Sequence, residues 1–279
     1  MSTVAAPADH QRPSLVGTDA RRFWNLTWTL AVTDFKLRFY GSVLGYLWTL
    51  ARPFMFFGVI YFVFTEIVGL DKNVPNYGVY ILFALVLFQF FSEATGNCVN
   101  ALVVRENLLR KIRFPRLVIP VSVVLTALFN LGMTLIAVFV FAIASGVYPA
   151  VGWLELPLIV ALMALLATGV GLLLSALYVR YRDVQPIWEV ATQMLFYASP
   201  VLYVATMVPE SYQRAYLANP ISALLTEMRR AVVDPGARHV WDAIGGAERL
   251  LLPGGIVLGV FALGFWVFRR EAPRIAENL

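Results

Sequence analysis

Five cations and a single acid crowd the twelve residues from Arg105 to Arg116: Arg105, Arg110, Lys111, Arg113 and Arg116 against Glu106. Long apolar runs flank the segment on both sides. Charge this dense cannot enter hydrocarbon, and cationic loops beside membrane spans are held on the cytoplasmic side. Leu108, Leu109 and Ile112 fall at helical spacing, and Pro115 stops the pattern, so the spacing predicts a short amphipathic helix within 105–116. The chemistry available to it is recognition. A cytoplasmic helix between two spans is a handle for a soluble partner, or it does no more than set topology; spacing leaves both open.

Bond-making chemistry has little to work with. None of the three lysines is followed by Ser or Thr, so there is no Gly-x-x-x-x-Gly-Lys-[Ser/Thr] loop to cradle nucleotide phosphates. His-Glu-x-x-His and Gly-x-Ser-x-Gly are missing too. Cys98 is the only cysteine, and His10 and His239 lie at opposite ends of the chain, so no metal site is expected. The expectation is a protein that is not an enzyme; any energy source resides on another subunit.

The elements that must position the basic segment are membrane spans. Of 279 residues, 59% are hydrophobic and 14% charged, with mean hydropathy +0.72. Soluble domains carry roughly 25% charge. Recurrent apolar runs of about 20 residues without alternation predict an all-α integral membrane bundle. Six spans are expected, at about 43–67, 77–104, 117–146, 156–178, 184–203 and 250–268. Residues 1–19 read as a disordered tail and 271–279 as a cytoplasmic one. Between 20 and 40, Trp24, Trp28, Ala31, Phe35 and Phe39 recur at steps of three and four, opposite Arg22, Asn25 and Lys36. That stripe predicts an amphipathic helix lying in the membrane interface.

Cations sort by loop. The N-terminal stretch, the basic segment, Arg180, Arg182, Arg269, Arg270 and Arg274 fall on one side, whereas the loop at 66–76 holds only Lys72. The positive-inside rule then places both termini in the cytoplasm. The net charge of +5 is spread over several loops and serves topology, which argues against nucleic acid as a partner. Residues 204–249 carry five arginines and five acids and are punctuated by Pro209, Asn219-Pro220 and Pro235-Gly236. Two short helices that dip into the outer leaflet are expected there.

Polar residues inside spans point to sites. Arg52 lies before Pro53 within the first span, where it snorkels to the headgroups or faces a watery mouth. Phe54, Phe57, Tyr61 and Phe64 share a face. Gln89, Glu93, Gly96, Asn97 and Asn100 form a polar face on the second span, either an interhelical network or the wall of a path. Trp188, Thr192, Phe196, Ser199 and Tyr203 share a face on the fifth. Gly169, Gly171 and Ser175 suggest close helix contact on the fourth.

Taken together, several stretches resemble the ABC-2 type permeases that export polysaccharides. They are Asp34-Phe-Lys-Leu-Arg-Phe-Tyr-Gly-Ser-Val-Leu-Gly-Tyr-Leu-Trp48, Phe90-Phe-Ser-Glu93, Asn107-Leu-Leu-Arg-Lys-Ile-Arg-Phe-Pro115, Arg180-Tyr-Arg-Asp-Val184, Ser199-Pro-Val-Leu-Tyr203 and Asn219-Pro220. The resemblance covers residues 21–270 and rests on their order and spacing. Arg52 departs from it, since the family commonly has an uncharged residue there.

The resemblance implies a homodimer in a bacterial inner membrane with a separate ATPase subunit that holds ATP and Mg. It makes 105–116 the helix that couples to that ATPase, through Arg105, Glu106, Asn107, Leu108, Arg110, Lys111 and Arg113. It makes 204–249 a pair of re-entrant gate helices. The channel would be lined from Phe54, Phe57, Tyr61, Glu93, Trp188, Thr192, Phe196 and Tyr203. The cargo would be a polyprenyl-diphosphate-linked glycan (O-antigen, teichoic acid or galactan), its diphosphate met by Lys36, Arg38 and Arg52. An ABC-2 exporter of a small hydrophobic compound is the alternative.

Overall fold

The computed structural model describes residues 20–39, 45–69, 74–111, 114–244, 246 and 251–278. Among them there is no β-strand. Helix α1 spans Ala20–Phe39, and α2 spans Gly45–Phe62, closing in a π-turn at Val63–Ile67. Then come α3 at Tyr77–Val99, α4 at Ala101–Val104, α5 at Glu106–Lys111 and α6 at Val118–Ala144. Helix α7 is Leu156–Arg180, entered through a 3-10 turn at Val151–Glu155, and α8 is Val184–Tyr197. Shorter pieces follow: α9 at Glu210–Ala218, α10 at Pro220–Met228 with a π-turn at Arg229–Val233, and α11 at Val240–Ile244. The last helix, α12, is Leu251–Asn278. The expected tails, 40–44 and the 112–113 part of the basic segment lie outside the described residues, apart from the helical backbone of 271–278.

Among the described residues five helices are long and apolar enough to cross a membrane: Leu47–Ile67, Tyr77–Val99, Val118–Ala144, Val151–Arg180 and Leu251–Ala272. The chain is therefore a multi-pass membrane protein. The stretch expected as a span at 184–203 differs. Its helix α8 has 14 residues, about 21 Å at 1.5 Å per residue, short of the roughly 30 Å of a hydrocarbon core. It ends ahead of Pro200, and the carbonyls that a continued helix would satisfy turn to another element. The Tyr77 hydroxyl donates to Leu202 O at 2.6 Å, and the Tyr80 hydroxyl to Pro200 O and, at 2.8 Å, to Tyr203 O. Unwound backbone persists in an apolar protein only where such donors meet it.

Two further boundaries moved. The second span, expected to run to Val104, breaks at Asn100, which separates α3 from α4. The last helix runs ten residues beyond the expected end at 268.

Helix α3 is the axis of the core. Val79 to Phe88 are all buried, as expected for a helix apolar on every side. It packs on α2, α6, α7, α8 and α10. Glycine sets the closest approach, between α7 and α12: a Cβ at Gly264 would lie 2.0 Å from Gly169 O. A Cβ at Gly171 would lie 2.8 Å from Cys98 Sγ, so the small residues noted on the fourth span let two helices in. Asn219 starts α10 by accepting from Ile221 N at 3.1 Å, with Pro220 as the first helical residue.

Candidate functional site

Helix α1 lies along α6. Trp28 and Phe35 both meet Phe129 edge-on, at 5.2 and 5.8 Å between ring centroids. Thr126 Oγ1 donates to Ala31 O at 3.3 Å, and Ala31 is fully buried. Its C-terminal turns carry charge across to two other elements. Arg105, in the turn between α4 and α5, donates from Nη2 to Asp34 Oδ2. Arg38 donates from Nη1 to Glu93 Oε1 on α3, and Asn130 Nδ2 on α6 donates to the same oxygen at 2.8 Å. A carboxylate inside a span needs a partner; Glu93 has two.

The basic segment thus follows α3 and α4 and is pinned to α1 through Arg105. Helix α5 has six residues, and the amides of Leu108 and Leu109 both donate to Arg105 O, at 3.0 and 3.1 Å. Arg105, Glu106 and Leu108 are half-buried and Asn107 is exposed. The side chains of Arg110 and Lys111, and all of Arg113, lie outside the described residues. Of the three cations expected to meet a diphosphate, Lys36 and Arg52 are exposed, whereas Arg38 is engaged with Glu93.

The aromatic stripes fall on packing faces. Phe57 is buried, and Phe54 and Phe57 lie edge-on to Phe141 of α6 at 6.3 and 5.4 Å. Trp188 Nε1 donates to Thr95 Oγ1 at 3.1 Å, Thr192 is buried, and Phe196 meets Phe88 at 5.3 Å. Tyr203 is half-buried, its hydroxyl donating to Tyr197 O at 2.9 Å. Of the eight residues expected along a channel, Tyr61 alone is exposed, by 38%, and its ring stacks on Phe57 at 5.5 Å. The exposed surfaces of the same helices carry Met55, Phe56, Val59 and Phe62 on α2 and Ile187, Val190 and Met194 on α8. Periodicity found the stripes and could not tell a face turned to a neighbouring helix from one turned outward.

At the other end of α3 the segment expected as a gate is tied down. Arg230 is gripped by Glu155 and, at 2.6 Å, by Glu227. Burial works against its charge, but the hydrogen bonds and charges of Glu155 and Glu227 together outweigh that, and its pKa lies above the usual arginine value. Glu227 also meets His239 Nδ1 at 3.2 Å and accepts from Val240 N at 3.2 Å. Arg229 pairs with Asp234 at 3.0 Å. Trp153 Nε1 donates to Val232 O at 3.2 Å and Asn76 Nδ2 to Val233 O at 3.4 Å. A Cβ at Gly152 would lie 2.4 Å from Ala231 O, so the π-turn sits against the start of α7.

Asp34, Asn130, Tyr77, Tyr80 and the Glu155–Arg230–Glu227 set escaped the sequence reading. The signal for the last was present: an acid at the start of a span and an Arg-Arg doublet in a segment of balanced charge. Among the described residues no group of His, Cys, Asp and Glu could hold a metal ion.

Comparison with known proteins follows the same lines. The family described as ABC-2 type transporter matches residues 25–232. The chain is 28% identical over 247 residues to the O-antigen export system permease protein RfbA of Klebsiella pneumoniae, covering 88% of this chain and 92% of that protein. It is 33% identical over 200 residues to the O-antigen export system permease protein RfbA of Myxococcus xanthus, covering 71% and 76%. It is 22% identical over 209 residues to the polysialic acid transport protein KpsM of Escherichia coli, covering 74% and 80%.

Proposed function

We propose that this chain, which belongs to the ABC-2 type transporter family, is the membrane subunit of an ATP-driven exporter of a polyprenyl-diphosphate-linked polysaccharide. It works as a homodimer with a separate ATPase that holds the ATP and Mg. One observation carries the reading: the short helix α5, in the basic segment, follows α3 and α4, packs Leu109 on the core and is joined to α1 through Arg105, while the tied segment 229–240 meets the other end of α3. In this reading the first receives a soluble motor at the cytoplasmic face. The second closes an exit at the outer face.

The names of the relatives support glycan as cargo. Lys36 and Arg52, both exposed beside or within the apolar spans, meet its diphosphate. Tyr61, exposed on α2, lines the path for its sugars. The apolar outer surfaces of α2 and α8 face the second copy.

Deleting the gene in its host tests the reading. Surface polysaccharide should disappear while lipid-linked glycan accumulates on the cytoplasmic leaflet, and an ATPase should co-purify with the tagged chain. Unchanged surface glycan overturns the proposal, and sensitivity to a hydrophobic compound in its place favours a small-molecule exporter.

A further inference from the structure

Asp34 and Arg38 stand four residues apart on α1, which brings their Cβ atoms to about 5–6 Å on one face. An acid placed N-terminal to a base at that spacing is the favoured order for pairing within a helix. Among the described residues the two do not pair. Asp34 accepts from Arg105 in the turn before α5, and Arg38 donates to Glu93 on α3. Asn130 on α6 holds the same Glu93 oxygen at 2.8 Å. Two acids and two bases drawn from three elements therefore form one cluster. Asp34 and Arg38 each keep a second partner within reach on their own helix.

We infer that Asp34 is a joint between the docking segment and α1, and that it works by exchanging Arg105 for Arg38. The inference rests on reading 105–116 as the segment an ATPase moves. When the segment is displaced, Arg105 leaves with it, and Arg38 becomes the nearest cation to Asp34. Arg38 then quits Glu93, which retains Asn130. Pulling on the docking segment thus loosens α1 from α3, and returning it restores both contacts. The docked state has two ion pairs and the exchanged state one, Asp34–Arg38, with Asn130 left on Glu93; the docked state is therefore the resting one, and the motion of the segment drives the exchange. Asp34 is a positioning residue: it touches neither nucleotide nor cargo.

The test uses the full complex with its ATPase in proteoliposomes and reads glycan delivered per ATP hydrolysed. Asp34→Asn should lower that ratio about tenfold with hydrolysis retained, and Asp34→Glu should keep it within about threefold. Arg38→Gln leaves the Asp34–Arg105 pair in place but removes the exchange, and it should also lower the ratio severalfold. A ratio unmoved in D34N and R38Q overturns the inference alone. So does a parallel fall of hydrolysis and export, which is what a merely structural contact gives. Should D34N fail to assemble, R38Q decides by the same ratio. A wild-type chain that captures no ATPase overturns the proposed function and this inference together.

Discussion

At the end of α3 that carries Glu93, helix α1 is held by two ion pairs, Asp34–Arg105 and Arg38–Glu93, whose arginines are 20% and 41% exposed. At the end that carries Asn76, the π-turn 229–233 is held by Arg229 and Arg230, exposed by 11% and 12%, and by three carboxylates, one indole N–H and one amide. The first arrangement uses one contact on Asp34 and two on Glu93, both carboxylates partly exposed. Such pairs are worth about 0–1 kcal/mol each, and they re-form as easily as they part. The second interlocks side chains with backbone, so no one contact can leave without stranding another. One end is held by few contacts at partly exposed side chains, and the other by an interlocked set.

The contrast predicts unequal losses. Arg230→Ala strips one cation from two carboxylates, Glu227 mostly buried and Glu155 42% exposed, and should cost about 2–3 kcal/mol of stability, measured by thermal unfolding of the purified protein in detergent. Arg105→Ala should cost about 1 kcal/mol or less in the same assay. Equal losses would erase the distinction between the ends. Gly152→Val comes next. Its Cβ would fall 2.4 Å from Ala231 O, and forcing that contact apart costs about 2 kcal/mol. Hydrogen exchange should quicken through 229–234 and stay unchanged in α1; a change spread over both ends would show that they are not independent.

Tyr80→Phe should cost about 1–2 kcal/mol, because the carbonyls of Pro200 and Tyr203 lose their donor in a buried site. This position also shows why the sequence could be read so far and no further. Apolar runs and cation-rich loops are local signals, and they located α1, the five long spans, the basic helix and the α9–α10 segment. The 184–203 stretch also reads as a span despite Gln185, Glu189 and Gln193, yet its helix stops at Tyr197, where tyrosines more than a hundred residues earlier supply donors to the unwound chain. A tertiary donor leaves no mark on local periodicity. The same holds for the charged side chains. Glu93 was visible as a costly carboxylate, but its neutraliser, Arg38, looked like one more free basic residue beside the membrane. Nothing in the spacing tells a cation with a tertiary partner from one that awaits a ligand.

That pair supplies the finest test of the contrast. Arg38→Gln leaves the Glu93 carboxylate within α3 with Asn130 as its hydrogen-bonding partner, and a charge at that depth loses its neutraliser. Glu93→Gln leaves Arg38 instead, on a half-open surface where its head reaches water and Asp34 lies one turn away. The two variants remove the same ion pair, yet they strand different partners. Arg38→Gln should therefore be the less stable by about 1 kcal/mol. Thermal unfolding of the two, side by side, measures the difference. Equal values would mean that Glu93 is as well solvated as Arg38, and that water already enters the bundle between α1 and α3.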